Sequence, residues 1–280
     1  MKKLTISLLS LVLLSSTLAV ANGDYTILSG HAKQGGFVVL KIDNQATITY
    51  KDKKLKPDEQ GRVLIAFSRD DKEEQVFKLT RESGKVVYPR IKIATRSYHE
   101  QRIDGLPKNK VTPDKKTSNQ IWQDILQARK ARKIVLPTAY FDSGFIWPAK
   151  GIISGVYGSR RVLNGKPKRP HFGVDIAAPK GTPLYAPADG KITLLEDMVL
   201  SGKTLMIDHG YGLRSTMMHL SAFAVKTGDY VKKGQLIGKI GMTGRATGPH
   251  VHWGMSWYNV RLDPTLTLAK ATRAGDKVSP

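Results

Sequence analysis

Residues 248–257 read Gly-Pro-His-Val-His-Trp-Gly-Met-Ser-Trp. A Gly-Pro turn followed by a run with no helical period predicts a strand from His250 to Trp257. Side chains alternate along a strand, so His250 and His252 share one face, their Cα atoms about 7 Å apart. One imidazole can then hold a metal while its neighbour points at a substrate beside it.

Working outward, the chain from Phe145 to about Pro264 is dense in glycine. Short strands are predicted at Leu184–Ala186, Gly190–Leu195, Thr204–His209, Leu213–His219 and Gln235–Ile240. Asp189-Gly190 and Gly210-Tyr211-Gly212 supply turns between them. No long helical pattern interrupts, which predicts an all-β, antiparallel domain over residues 141–264.

Upstream, short β-branched and aromatic runs recur between Tyr25 and Ile93, separated by turn residues. That texture predicts a small β-sandwich over residues 22–103. Residues 104–140 read as a linker. It holds a helix over 119–134 that Ser118 could cap, with Ile121, Trp122, Ile125 and Leu126 forming one apolar stripe. The cluster Arg129, Lys130, Arg132 and Lys133 suits the C-terminal end of the helix dipole. Residues 265–280 form a polar, basic tail expected to be mobile.

Residues 1–21 read as a signal peptide: Lys2-Lys3, the apolar run Leu4 to Leu14, then Ala19-Val20-Ala21. The run is far shorter than the roughly 20 apolar residues of a membrane span. The leader itself sets the expectation that the chain lies outside the cytoplasm, periplasmic or extracellular, and no later stretch is long and apolar enough to span a membrane. With no cysteine among 280 residues, disulfides, thiolate nucleophiles and Cys-type zinc sites are excluded. Any metal must rest on His, Asp or Glu. The net charge of +22 draws the chain to polyanions. A basic helix or aromatic-interleaved stripe for nucleic acid does not stand out, so an anionic envelope surface is the expected counterpart rather than nucleic acid.

Five of the seven histidines fall in the second domain. Four of them lie in three compact motifs: His171-Phe172-Gly173-Val174-Asp175, Met218-His219-Leu220 and His250-Val251-His252. Three protein ligands plus a water make a catalytic zinc site, and these motifs offer such a set with residues to spare. His171 and Asp175, fully extended, would stand about 13 Å apart, so the chain must bend at Gly173 for them to share a metal. His209 reads as a hairpin residue, and His31 and His99 as isolated surface or structural residues.

The blocks from His171 to Pro179, Gly181-Thr182-Pro183, Ala186 to Gly190, His209 to Gly212, His219-Leu220-Ser221, Val231 to Gln235, Ile237-Gly238 and Gly241 to His252 occur in order. This series resembles the lysostaphin/LytM-type zinc metallopeptidases over roughly residues 147–264. The resemblance implies that His171, Asp175 and His252 bind Zn2+ and that His219 and His250 are the catalytic histidines. It also implies a substrate, the peptide cross-links of bacterial peptidoglycan, with the D-Ala–diaminopimelate bond expected. An aromatic residue common before His219 is replaced here by Met217-Met218. The β-rich first domain is similar in architecture to Gram-negative envelope DD-endopeptidases, and a regulatory envelope protein is a candidate partner. The alternative is a non-catalytic peptidoglycan-binding activator of another hydrolase, against which the complete ligand set argues. With no His-Glu-x-x-His motif, proton handling falls to His219 and His250.

Overall fold

The computed structural model describes residues 21–105, 114–268 and 275–280. The predicted signal peptide, apart from its last residue, lies outside them, as do parts of the linker and of the tail. The all-β reading holds: among the described residues, strands dominate and one α-helix is present.

The first unit contains eleven short strands, from β1 (Ala21–Asn22) to β11 (Glu100–Ile103). β2 (Tyr25–Gly30) and β3 (Phe37–Lys41) lie at the centre of one sheet with β6 (Arg62–Ala66) at its edge, and β4 (Thr47–Tyr50) and β8 (Lys78–Thr80) lie at the centre of another. Val38, Leu40, Ile65 and Ile48 are fully buried between them. β-branched residues suit such half-buried pleated surfaces.

The second unit is an eleven-stranded, mainly antiparallel sheet. Its main path runs from β20 (Tyr230–Val231) through β17 (Gly190–Met198), β18 (Gly202–Asp208) and β19 (Leu213–Phe223) to β22 (His250–Trp257). It continues through β15 (Val174–Ala177) and β12 (Gly151–Gly155) to β24 (Lys277–Val278). The predicted strand at His250 is therefore central. Val251, Trp253, Met255 and Trp257 alternate along it and are all at most 1% exposed, so one face of β22 builds the core and leaves the histidine face for chemistry.

The helix α1 spans Lys115–Arg132 rather than 119–134, and its N-cap is Asp114, whose carboxylate accepts from Thr117 N at 2.7 Å. The expected cap Ser118 lies inside it. The apolar stripe does not supply the packing face either. Asp124, Ala128 and Ala131 are buried, the alanines against Leu194, Met198 and Met206, and Asp124 accepts from Val199 N at 2.8 Å. Trp122, Ile125 and Leu126 are exposed. Small residues let the helix approach the sheet closely, and that contact outweighs the larger apolar side chains.

The described end of the tail departs from the expected mobility. Lys277 and Val278 pair with Ile152 and Gly151 and extend the sheet edge, and Val278 is buried.

The two units share a packed interface. Tyr50 meets Trp257 with ring centroids 6.1 Å apart, Arg96 pairs with the buried Asp263 at 2.8 Å, and Tyr211 Oη donates to Asp58 at 3.1 Å. β11 runs parallel to β13 (Arg160–Leu163), joining first-unit backbone to the second unit. β13 turns into β14 (Lys166–Lys168), just ahead of His171.

Candidate metal centre and active site

The ladder between β15 and β22 sets Asp175 directly opposite His252. His171 precedes β15 in a loop pinned by backbone bonds: its N–H donates to Ser159 O at 2.9 Å, and Gly158 N–H donates to its carbonyl at 2.7 Å. The bend anticipated at Gly173 brings His171 back over the strand. Its Nε2 lies 2.9 Å from Asp175 Oδ1 and 2.9 Å from His252 Nδ1, and His252 Nδ1 lies 2.8 Å from Asp175 Oδ1.

These three residues form the metal-competent cluster found among the described residues, their ligand atoms all within 4.8 Å of one another. The donor chemistry fits a cation. His171 Nδ1 faces Val156 O at 3.0 Å, so it must carry the proton and donate, leaving a lone pair on Nε2 aimed at a carboxylate oxygen and a second imidazole nitrogen. Converging lone pairs need a cation between them. Space is reserved as well: a Cβ on Gly155 would come within 2.5 Å of Asp175 Oδ2, and one on Gly173 within 2.6 Å of His252 Nε2. Burial alone would raise the Asp175 pKa, but the two histidines beside it hold the carboxyl well below the usual carboxylate range.

His219 and His250 make a second pair, their ring centroids 4.7 Å apart. His250 follows from strand alternation. His219 does not: Met218 is the residue opposite His252, so an unbroken strand would send the next side chain to the core face beside Met217. An irregularity in the β18–β19 register and a φ of 66° at His219 turn it to the site instead. Such left-handed backbone is costly for a residue with a Cβ. Nδ1 of His219 faces Thr243 O at 2.8 Å, and Nδ1 of His250 faces Gly248 O at 2.9 Å. Each ring therefore keeps Nε2 for other partners. Burial, reinforced by His250, pushes the His219 pKa down to about 4.

All five residues line one cleft of about 670 Å³, whose rim includes Lys168, Arg169 and Arg245. A groove of similar size, about 690 Å³, lies between Lys54–Arg62, Val135–Ala139 and Tyr211, and holds none of the histidines. His209 is fully buried and bonded at both nitrogens, to Asp189 O at 2.7 Å and Ser215 Oγ at 2.9 Å. It is a core histidine outside the cleft, and the hairpin reading did not anticipate its burial.

Peptidase family M23 matches residues 169–264, a span that contains all five residues. The chain carries a peptidase family M23 domain. Among similar proteins, the peptidoglycan DD-endopeptidase ShyB of Vibrio cholerae serotype O1 is 37% identical over 113 residues, 39% of this chain and 26% of that protein. The DD-carboxypeptidase/endopeptidase Mpg of Neisseria meningitidis serogroup B is 47% identical over 85 residues, 30% of this chain and 20% of that protein. The matched stretches thus span about a quarter or less of these relatives. A solved structure from Pseudomonas aeruginosa, described as a peptidase M23, has a TM-score of 0.65 and 27% identity. It covers 84% of this chain and 94% of that one, so the likeness extends beyond the M23 domain into the first unit.

Outside that domain, Val156 O and the Gly155 gap were invisible to sequence reasoning, because a backbone carbonyl carries no residue signature. Within it, the same is true of Thr243 O. Gly248 O, by contrast, belongs to the Gly248-Pro249 turn directly ahead of His250, whose backbone the sequence already pointed to as placing the histidine pair. The nearest signal is the glycine density itself.

Proposed function

We propose that the chain is a zinc-dependent endopeptidase that hydrolyses peptide cross-links in bacterial peptidoglycan, with the D-Ala–diaminopimelate bond as target. The observation that carries this reading is the convergence of His171, Asp175 and His252 beside a separate histidine pair in one open cleft. The M23 domain and the names of the relatives support the same chemistry.

His171 Nε2, His252 Nδ1 and Asp175 Oδ1 would hold the metal. Zinc bound there would supply Lewis acidity and bring the pKa of water down to about 7. The chain's own residues do the rest. Val156 O fixes the His171 tautomer, and the Asp175–His252 register sets the spacing of two ligands. His219, neutral above about pH 4, offers Nε2 as a proton acceptor, and His250 stands beside it to share proton transfer or steady the developing oxyanion. Lys168, Arg169 and Arg245 at the rim suit the carboxylates of a peptidoglycan stem peptide. A leader at residues 1–21 would deliver the enzyme to the envelope, and no helix among the described residues is long and apolar enough to cross a membrane.

Digestion of purified cross-linked muropeptides, with the products weighed, tests this reading. Cross-linked dimers should convert to monomers, and a chelator should stop the conversion. Intact dimers after incubation with zinc-loaded protein would refute it.

A further inference from the structure

We propose that the chain binds a small oxyanion, phosphate-like in size and charge, between Arg132, Arg214, Ser256 and Arg261, apart from the metal-ligating cluster.

The site is written in sheet register. Asp208 on β18 pairs with Arg214 on β19, Arg214 with Ser256 on β22, and Ser256 with Arg261 on β23 (Val260–Leu262). Directly paired residues share a face, with neighbouring Cα atoms about 5 Å apart. The short Ser256 side chain therefore stands between two arginines. The C-terminal end of α1 closes over the row: Arg214 Nη2 donates to Ile134 O at 2.6 Å. Arg132, the last residue of that helix, is close enough for Arg261 and Arg214 to act on its charge.

Two deficits point to a missing partner. The first is in hydrogen bonds. Arg214 is fully buried and Ser256 is 1% exposed, yet Arg214 Nε and Nη1, Arg132 Nε and Ser256 Oγ have no partner among the described residues. Each such buried donor is expensive to leave unmade, the charged ones most of all. The second deficit is in charge. Asp208 is the carboxylate of this row, and it is already engaged by Arg214 Nη2 at 2.9 Å and Gly210 N at 2.8 Å. Of the three guanidiniums, Arg214 engages this carboxylate, while the charges acting on Arg132 are those of Arg261, Arg214 and Arg129. Burial, with Arg261 and Arg214 adding to it, pushes Arg132 down to about 10, still charged at neutral pH.

Water could satisfy the donors but not the charge. An oxyanion satisfies both, because guanidinium forks match two oxygens at once and the serine hydroxyl can donate to a third. Size is limited by burial: with Arg214 and Ser256 withdrawn from the surface, a compact ion fits the description and a bulky ester does not. The bound ion would tie the end of α1 to β22, four residues along from His252.

Thermal unfolding of the full, metal-loaded chain in potassium phosphate, against potassium chloride at equal ionic strength, tests the site. A ligand that binds only the folded state stabilises it in proportion to the logarithm of its concentration above Kd. The melting temperature should therefore climb with phosphate. The climb should vanish in Arg132→Gln and in Arg261→Gln, both at partly buried positions, while their metal content stays at the parent level. A crystal grown in phosphate should show the ion between Arg214, Ser256 and Arg261. No phosphate-specific rise would overturn the proposal. So would a rise that survives in both variants, since the phosphate would then act at the metal or on the general surface. Ordered water alone between the arginines in that crystal would overturn it too.

Discussion

Asp175 and His252 stand directly opposite each other on adjacent strands, with Asp175 Oδ1 2.8 Å from His252 Nδ1. A sheet holds such a pair rigidly, because both backbones are fixed by the same ladder. His171 completes the set from a loop, and His219 and His250 stand apart as their own pair. This arrangement separates residues of one chemical type into two roles. His171→Ala, Asp175→Ala and His252→Ala should each lose both bound zinc and activity. His219→Ala and His250→Ala should keep close to one zinc per chain and lose about 10²–10⁴-fold in turnover. Metal analysis of the five purified variants decides the assignment. Zinc retained in His252→Ala and lost in His250→Ala would reverse the pair.

The space around the ligands makes a second test without changing any of them. A Cβ at Gly155 would press on Asp175 Oδ2 at 2.5 Å and on His171 Cε1 at 3.1 Å. Gly155→Ala should therefore leave the fold standing and weaken metal binding by about 10–100-fold, the usual effect of disturbing the groups that orient ligands. A metal-binding titration of this variant reads the effect directly. Unchanged affinity would show that the ligands do not need this gap.

All five candidate residues could be named from the sequence, but their division into metal ligands and catalytic histidines rested on the resemblance to the lysostaphin/LytM-type peptidases. Spacing alone offered a His-x-His pair on one strand face and a His and an Asp four residues apart across a glycine. The rest depends on contacts that local spacing cannot carry. His219 reaches the site only through a register irregularity and a positive φ. Helix α1 was visible, but its packing face was not, since Ala128 and Ala131 carry little hydrophobic signal beside Trp122 and Leu126. The strand at Lys277–Val278 arises from an edge left open by Gly151–Ile152, more than a hundred residues away.

The linker carries no signal of how the two units meet, and in the fold the first unit braces the loop that bears His171. Arg69 Nε donates to Gly158 O at 2.7 Å, and its guanidinium lies 4.2 Å from the Tyr98 ring centroid. Gly158 and Ser159 in turn fix the backbone of His171. Arg69→Ala should cost on the order of 2 kcal/mol of stability, as expected for a buried charged hydrogen bond. It should also lower turnover although Arg69 lies outside the cleft lining. Chemical denaturation and muropeptide kinetics on this variant measure the two effects. Stability lost with turnover intact would confine the first unit to a scaffolding role.

His209 gives the fold an acid limit independent of the metal. Its ring is fully buried, Nδ1 faces Asp189 O, and Nε2 faces Ser215 Oγ, which also accepts from Trp253 Nε1 at 3.1 Å. The carbonyl requires the proton on Nδ1, so Nε2 must accept from Ser215, and the neutral ring satisfies both neighbours. Burial pushes its pKa down to about 4, against about 6.5 in an unfolded chain. Between those values the unfolded state binds the extra proton, so stability rises with pH there. The contribution is fully present above about pH 6.5 and is lost as pH falls toward 4, at a slope of at most about 1.4 kcal/mol per pH unit. Denaturant midpoints of metal-free protein, measured from pH 7 to 4, should show this decline. His209→Gln should start less stable at pH 7, having lost the ring's packing, and should decline less steeply. An equal slope in both proteins would mean that other groups set the acid limit and that His209 does not.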